Sequence, residues 1–203
     1  MLKAIASTAK KNGSSLDEVQ KIVGKPGVVF KLVEDLFAKD VEQKSSMLSL
    51  ISVGEKVMVE ALDGKAYIAD AKQTFRSFID GNFKSWGLNK SGPATLETLV
   101  DIHEVVEDGN FVKIFTSLNP GLEKLVMTQA QIIRFCEKHP TWLRQDGYAT
   151  FFLTKVNDEY VVVDVHVNSD GLDVYVYRLG DASVLYGQCR RRVVSPQLIA
   201  LSA

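Results

Sequence analysis

Two residues set two apart, Asp164 and His166, carry the first candidate chemistry in this chain. A carboxylate beside an imidazole can orient the ring for acid–base work. Both lie in the run Tyr160-Val161-Val162-Val163-Asp164-Val165-His166-Val167-Asn168, which reads as a strand with alternate residues on opposite sides. The valines at 161, 163, 165 and 167 need a core, so Asp164 and His166 share the other side. An even-numbered loop before the next strand brings Asp173, Tyr175 and Tyr177 to that side too. A three-residue loop before Tyr160 adds Thr150, Phe152 and Thr154. The expected result is one face that is polar and aromatic together. Such a face suits binding, because a tyrosine offers a large contact area with a polar handle. It suits an ordinary half-solvated sheet face as well, since strands favour tyrosine. Hydrolysis centred on Asp164 and His166 would further need a nucleophile and an oxyanion site. Tyr175 and Thr150 are the hydroxyls in view, and no G-x-S-x-G elbow is present.

The densest basic run is Arg190-Arg191-Arg192, with Arg144 and Lys155 as potential neighbours. Clustered guanidinium groups bind phosphate or carboxylate through paired hydrogen bonds. In a strand, however, Arg191 points away from Arg190 and Arg192, and a charged edge strand that resists aggregation explains the run equally well. Cys136 and His139 form C-x2-H, but zinc needs about four ligands and no second pair accompanies them. Cys136 falls on an apolar helical stripe, and His139 falls at a helix end where a positive charge is favoured. Glycine-rich phosphate loops, H-E-x-x-H and calcium-loop patterns are all missing, so no metal and no cofactor is implied.

The elements that must position these groups follow from periodicity. Residues 1–44 read as three helices. The second begins at a capping box of Ser15 and Glu18, and the third carries Val29, Leu32, Val33, Leu36 and Phe37 on one face. Residues 15–36 have helix-turn-helix proportions, although Gly27-Val28-Val29-Phe30-Lys31 looks built to pack rather than to read bases. Val57, Val59 and Ala61 alternate with Met58, Glu60 and Leu62, and Asp63-Gly64 predicts a hairpin to Tyr67-Ile68-Ala69. Residues 81–97 look irregular, and a strand is expected near 99–106. Thr128 and Gln131 form a second capping box, with Met127 and Ile132 as a hydrophobic staple. Pro140 ends that helix. Strands are expected near 148–156, 160–168, 172–179 and 184–194 as an antiparallel meander.

The stretches Phe75-Arg76-Ser77-Phe78-Ile79-Asp80, Phe83-Lys84-Ser85-Trp86-Gly87, Met127-Thr128-Gln129-Ala130-Gln131-Ile132 and Gly147-Tyr148-Ala149-Thr150-Phe151-Phe152-Leu153 resemble a type of small hypothetical protein from bacterial genomes. The resemblance covers residues 66–197. It implies that 47–203 is one unit to which the N-terminal residues are attached, and it brings no activity, cofactor or site.

Bulk properties bound the reading. The chain has 203 residues, 46% of them hydrophobic, with 24 Lys+Arg against 25 Asp+Glu and a formal charge of -1. That balance supplies no global field to attract nucleic acid or an anionic membrane. Two cysteines and no apolar leader favour a cytoplasmic setting, and no apolar run is long enough to span a membrane. The sequence therefore predicts an α+β fold: a helical module over 1–46, then a domain over 47–203 whose antiparallel sheet packs against helices. The expected role is a non-catalytic binding or assembly module that holds a protein partner or self-associates. The alternatives are a nucleic-acid binder using the N-terminal helices with Arg190 to Arg192, and a hydrolase-like enzyme centred on Asp164 and His166.

Overall fold

The structure, a computed structural model, describes residues 47–198. The helices expected over 1–44, and the helix-turn-helix reading with them, lie outside the described residues. The strands are β1 (Leu48–Leu50), β2 (Val57–Val59), β3 (Phe78–Ile79), β4 (Thr98–Val105), β5 (Ala149–Val156), β6 (Glu159–Asn168), β7 (Gly171–Arg178) and β8 (Arg192–Pro196). The α-helices are α1 (Asn82–Ser85), α2 (Phe111–Leu118) and α3 (Gln129–Lys138).

The expected α+β class with an antiparallel sheet is overturned. The described domain is mostly sheet: eight strands form one mixed sheet, and its three α-helices are short. The strand order is β1-β4-β8-β5-β6-β7-β3, with β2 also paired to β4. The antiparallel meander accounts for β5, β6 and β7 alone. β8 does not extend it. The chain leaves β7, crosses a long connection and returns between β5 and β4, parallel to β5 and antiparallel to β4. β3 likewise runs parallel to β7 at the other edge. Parallel neighbours need crossovers, and no tight-turn signal in a sequence announces one. For the same reason the last strand starts at Arg192 rather than near 184.

Local chemistry explains the elements. α3 opens as expected, with Thr128 and Gln131 capping each other reciprocally. Met127 and Ile132 are fully buried behind the cap. α2 is capped by Asn110, whose side chain accepts from the Lys113 N–H at 2.9 Å. β5 joins β6 through Asn157-Asp158, whose φ angles of 47° and 66° make the two-residue turn that matches strand twist. The chain bends at Gly64, but the predicted hairpin does not form. Leu62 instead exchanges both backbone hydrogen bonds with Thr95, and residues 68–70 make a 3-10 turn.

Both sheet faces are covered. On one face Val161, Val163, Val165, Val174, Val176, Phe152 and Val194 pack with Ile132, Phe135 and Cys136 of α3 and with Phe75 and Phe83. On the other, Phe151, Leu153, Val162 and Val193 pack with Phe111, Ile114 and Phe115 of α2 and with Leu125.

Candidate functional site

Loop length decides which residues meet Asp164. The β5–β6 turn has two residues rather than three, so Val156 opposes Glu159 and Phe151 opposes Asp164. A one-residue difference reverses every side chain of β5. Thr150, Phe152 and Thr154 therefore belong to the valine face. All three are buried there. Phe152 packs edge-on against Phe135, and the Thr150 hydroxyl accepts from the Arg144 backbone N–H at 2.7 Å. The residues that do flank Asp164 and His166 on β5 are Phe151 and Ala149.

The remaining group assembles as expected. Across the β6–β7 ladder Asp164 faces Tyr175, His166 faces Asp173 and Val162 faces Tyr177. α2 covers this face at one end only. Phe111 packs on Phe151 at 5.1 Å and on Tyr177 at 5.8 Å, which takes Tyr177 into the packing beneath the helix. Beyond Phe111 the face opens. His166 and Tyr175 meet edge to face at 5.7 Å, and Tyr175 meets Phe78 of β3 at 5.1 Å. His166 and Tyr175 are half-buried, and Phe78 is 45% exposed. Asp173 beside them accepts from the Asn168 side chain.

The imidazole is held at both nitrogens. Nδ1 lies 3.0 Å from the Gly147 carbonyl, which can only accept, so Nδ1 carries a proton. Nε2 lies 3.0 Å from Oδ1 of Asp164, a side chain only 6% exposed as a residue. The Asp164 carboxylate raises the His166 pKa, against the opposing effect of burial. Burial raises the Asp164 carboxyl, and the hydrogen bond from His166 and the nearby Arg191 charge oppose it. The pair is thus a buried anion answered by a partly exposed imidazolium. A general base needs a free nitrogen pointing at a nucleophile, and this ring has both nitrogens engaged.

The arginine run splits in a way the alternation argument inverts. Arg190, in a left-handed conformation, pairs with Glu104 at 3.3 Å. Arg192 donates through Nη1 to the carbonyls of Thr141, Trp142 and Leu143, closing the 3-10 turn that follows α3. These two candidates are occupied. Arg191, which alternation had set aside, makes no ion pair within the described residues and reaches the Tyr148 ring at 5.9 Å. Arg144 reaches the same ring at 5.7 Å. Lys155 lies at the far end of β5 and is taken by Glu123 and Asp158.

His139 fixes the Met58 carbonyl through Nε2 at 2.8 Å, and the fully buried Cys136 has its thiol pKa pushed up by burial. Among the described residues, no three His, Cys, Asp or Glu side chains come together as a metal site. Sequence reasoning missed Phe78, Gly147, Tyr148 and Phe111. For Gly147 a signal existed: Asp146-Gly147 is a turn pair, and both residues have positive φ. For Phe78 none did, since its partner strand lies more than ninety residues on. No helix of the described residues is long and apolar enough to cross a membrane. Comparison with protein-family models, curated proteins and solved structures gives no match to this chain.

Proposed function

We propose that this domain is a non-catalytic binding or assembly module, and that the open corner of Phe78, His166, Asp173 and Tyr175 holds a protein partner. One observation carries the reading: three rings, Phe78, Tyr175 and His166, meet in series at a sheet corner that α2 leaves uncovered, and the histidine at one end is held at both nitrogens. Rings fixed before binding lose little rotamer freedom on contact, so most of their buried area counts toward affinity. The same lock removes the free nitrogen that proton transfer would use, which favours binding over hydrolysis. Arg190 and Arg192 are already engaged, so a nucleic-acid reading draws no support from them.

The test is native mass spectrometry of the purified full chain, wild type beside Tyr175→Ala, with circular dichroism to verify that the variant is folded. The expected result is an oligomer or a retained protein partner that the folded variant loses. A wild-type monomer carrying nothing, or a complex that Tyr175→Ala leaves intact, counts against the corner.

A further inference from the structure

We propose that Arg144 and Arg191, which both lie against the ring of Tyr148, form a binding site for a phosphate dianion of the monoester class. The site is separate from the aromatic corner and does not depend on that reading.

Three observations converge on the end of the sheet where β5 and β8 begin. First, both guanidinium groups sit against one ring, that of Tyr148, which is 39% exposed. Each contact steadies a flexible cation beside the ring. Second, each arginine holds a buried donor with no acceptor among the described residues: Nε of Arg144 and Nη1 of Arg191. Nε of Arg192, close enough to Arg144 to feel its charge, is in the same condition. A charged donor left buried without an acceptor is costly, and the under-paired guanidinium groups of Arg144 and Arg191 beside one ring call for an acceptor with several oxygens. Third, the carboxylates at hand answer them only in part. Asp146 stands 3.7 Å from Arg144 and is largely in solvent, and Asp164, near enough to feel the Arg191 charge, makes its ion pair with His166. The excess is cationic and local, in a chain whose overall charge is -1.

A tetrahedral dianion fits this set. Guanidinium forks match phosphate oxygens through paired hydrogen bonds. A dianion also relieves the repulsion between Arg144 and Arg192. A phosphodiester offers a single charge and fewer free oxygens, so a terminal phosphate fits better than a nucleic-acid backbone.

The experiment is isothermal titration calorimetry on the full chain at low ionic strength, with inorganic phosphate, phenyl phosphate and dimethyl phosphate as probes. Sodium chloride at matched ionic strength is the blank. Phosphate and phenyl phosphate are expected to bind and dimethyl phosphate is not. Removing one of two charged forks should weaken binding about tenfold or more in Arg191→Ala and again in Arg144→Ala. Arg190→Ala, whose cation already serves Glu104, should stay within about twofold of wild type. Urea midpoints without ligand verify that each variant is folded. Unchanged phosphate affinity in folded Arg191→Ala and Arg144→Ala overturns the site, as does a response that chloride reproduces. Equal binding of dimethyl phosphate overturns the monoester assignment.

Discussion

Replacing His166 by alanine isolates what the buried pair does. Asp164 is 6% exposed, and its Oδ1 meets Nε2 of His166 at 3.0 Å. Removing the ring strands a carboxylate in a site where Phe151 and Tyr175 are its cross-strand neighbours. Breaking a fully buried pair costs about 3–5 kcal/mol. Here the imidazole side chain is 27% exposed, so water can enter where it stood, and about 2–3 kcal/mol is the better figure at pH 6, where both partners are charged. For a chain of this size that lowers Tm by roughly 5–10 °C. The pH dependence is the sharper test. In the wild type both folded pKa values are raised, Asp164 by burial and His166 by Asp164. A raised folded pKa contributes stability that is present below the unfolded value and lost as pH rises through the folded one. Wild-type stability should therefore fall from pH 4 upward through the Asp164 transition, and fall again above about 6.5 as His166 releases its proton. In His166→Ala the stranded carboxyl escapes its penalty by protonation. The variant should then lie closer to wild type at pH 4.5 than at pH 6. Urea unfolding followed by the fluorescence of Trp86 and Trp142 reads both conditions. A penalty equal at the two pH values would refute the assignment of an ionised, buried Asp164. So would a Tm unchanged at pH 6.

Two further outcomes test the frame that holds the site. Gly64→Ala should cost roughly 2 kcal/mol or more in a urea melt, because φ is +75° and the new Cβ would stand 2.2 Å from the Pro93 carbonyl oxygen. Thr128→Ala should cost about 1 kcal/mol by removing one side of the α3 capping box, and a thermal melt no lower than wild type would show that the cap is dispensable.

What could be read in the sequence depended on range. Thr128 with Gln131, the β6 valines and the turn that follows β6 are local signals, and each produced the element expected of it. Asp164, His166, Asp173 and Tyr175 were brought together on the same basis, since two residues apart on a strand is a geometric certainty once the strand exists. The errors began where the chain had to choose between equally local options. Asn157-Asp158 turns in two residues because both adopt positive φ. Counting Glu159 into the loop moved Thr150 and Phe152 to the wrong face. The parallel placement of β8 beside β5, and of β3 beside β7, depends on contacts between distant segments that no periodicity records. With β8 misplaced, Arg190 and Arg192 looked like the outward pair, whereas the strand begins at Arg192 and the residue left without an ion pair among the described residues is Arg191.

The placement of both proposed sites has one physical cause. A mixed sheet with a core on each face has little surface left for ligands except where its cover stops. α2 spans eight residues and reaches Phe151 and Tyr177 through Phe111, but it does not extend over Asp164, His166 and Tyr175. The 144–148 segment then closes the margin of that gap. Its Gly147 carbonyl accepts a hydrogen bond from His166 Nδ1, and its Tyr148 ring meets both Arg144 and Arg191, the residue just before β8. One segment therefore fixes the histidine on one side and brings a shared ring to the two guanidinium groups on the other. A change in its backbone, such as Gly147→Val at φ +75°, should disturb both sites together, whereas Tyr175→Ala and Arg191→Ala should each affect only its own.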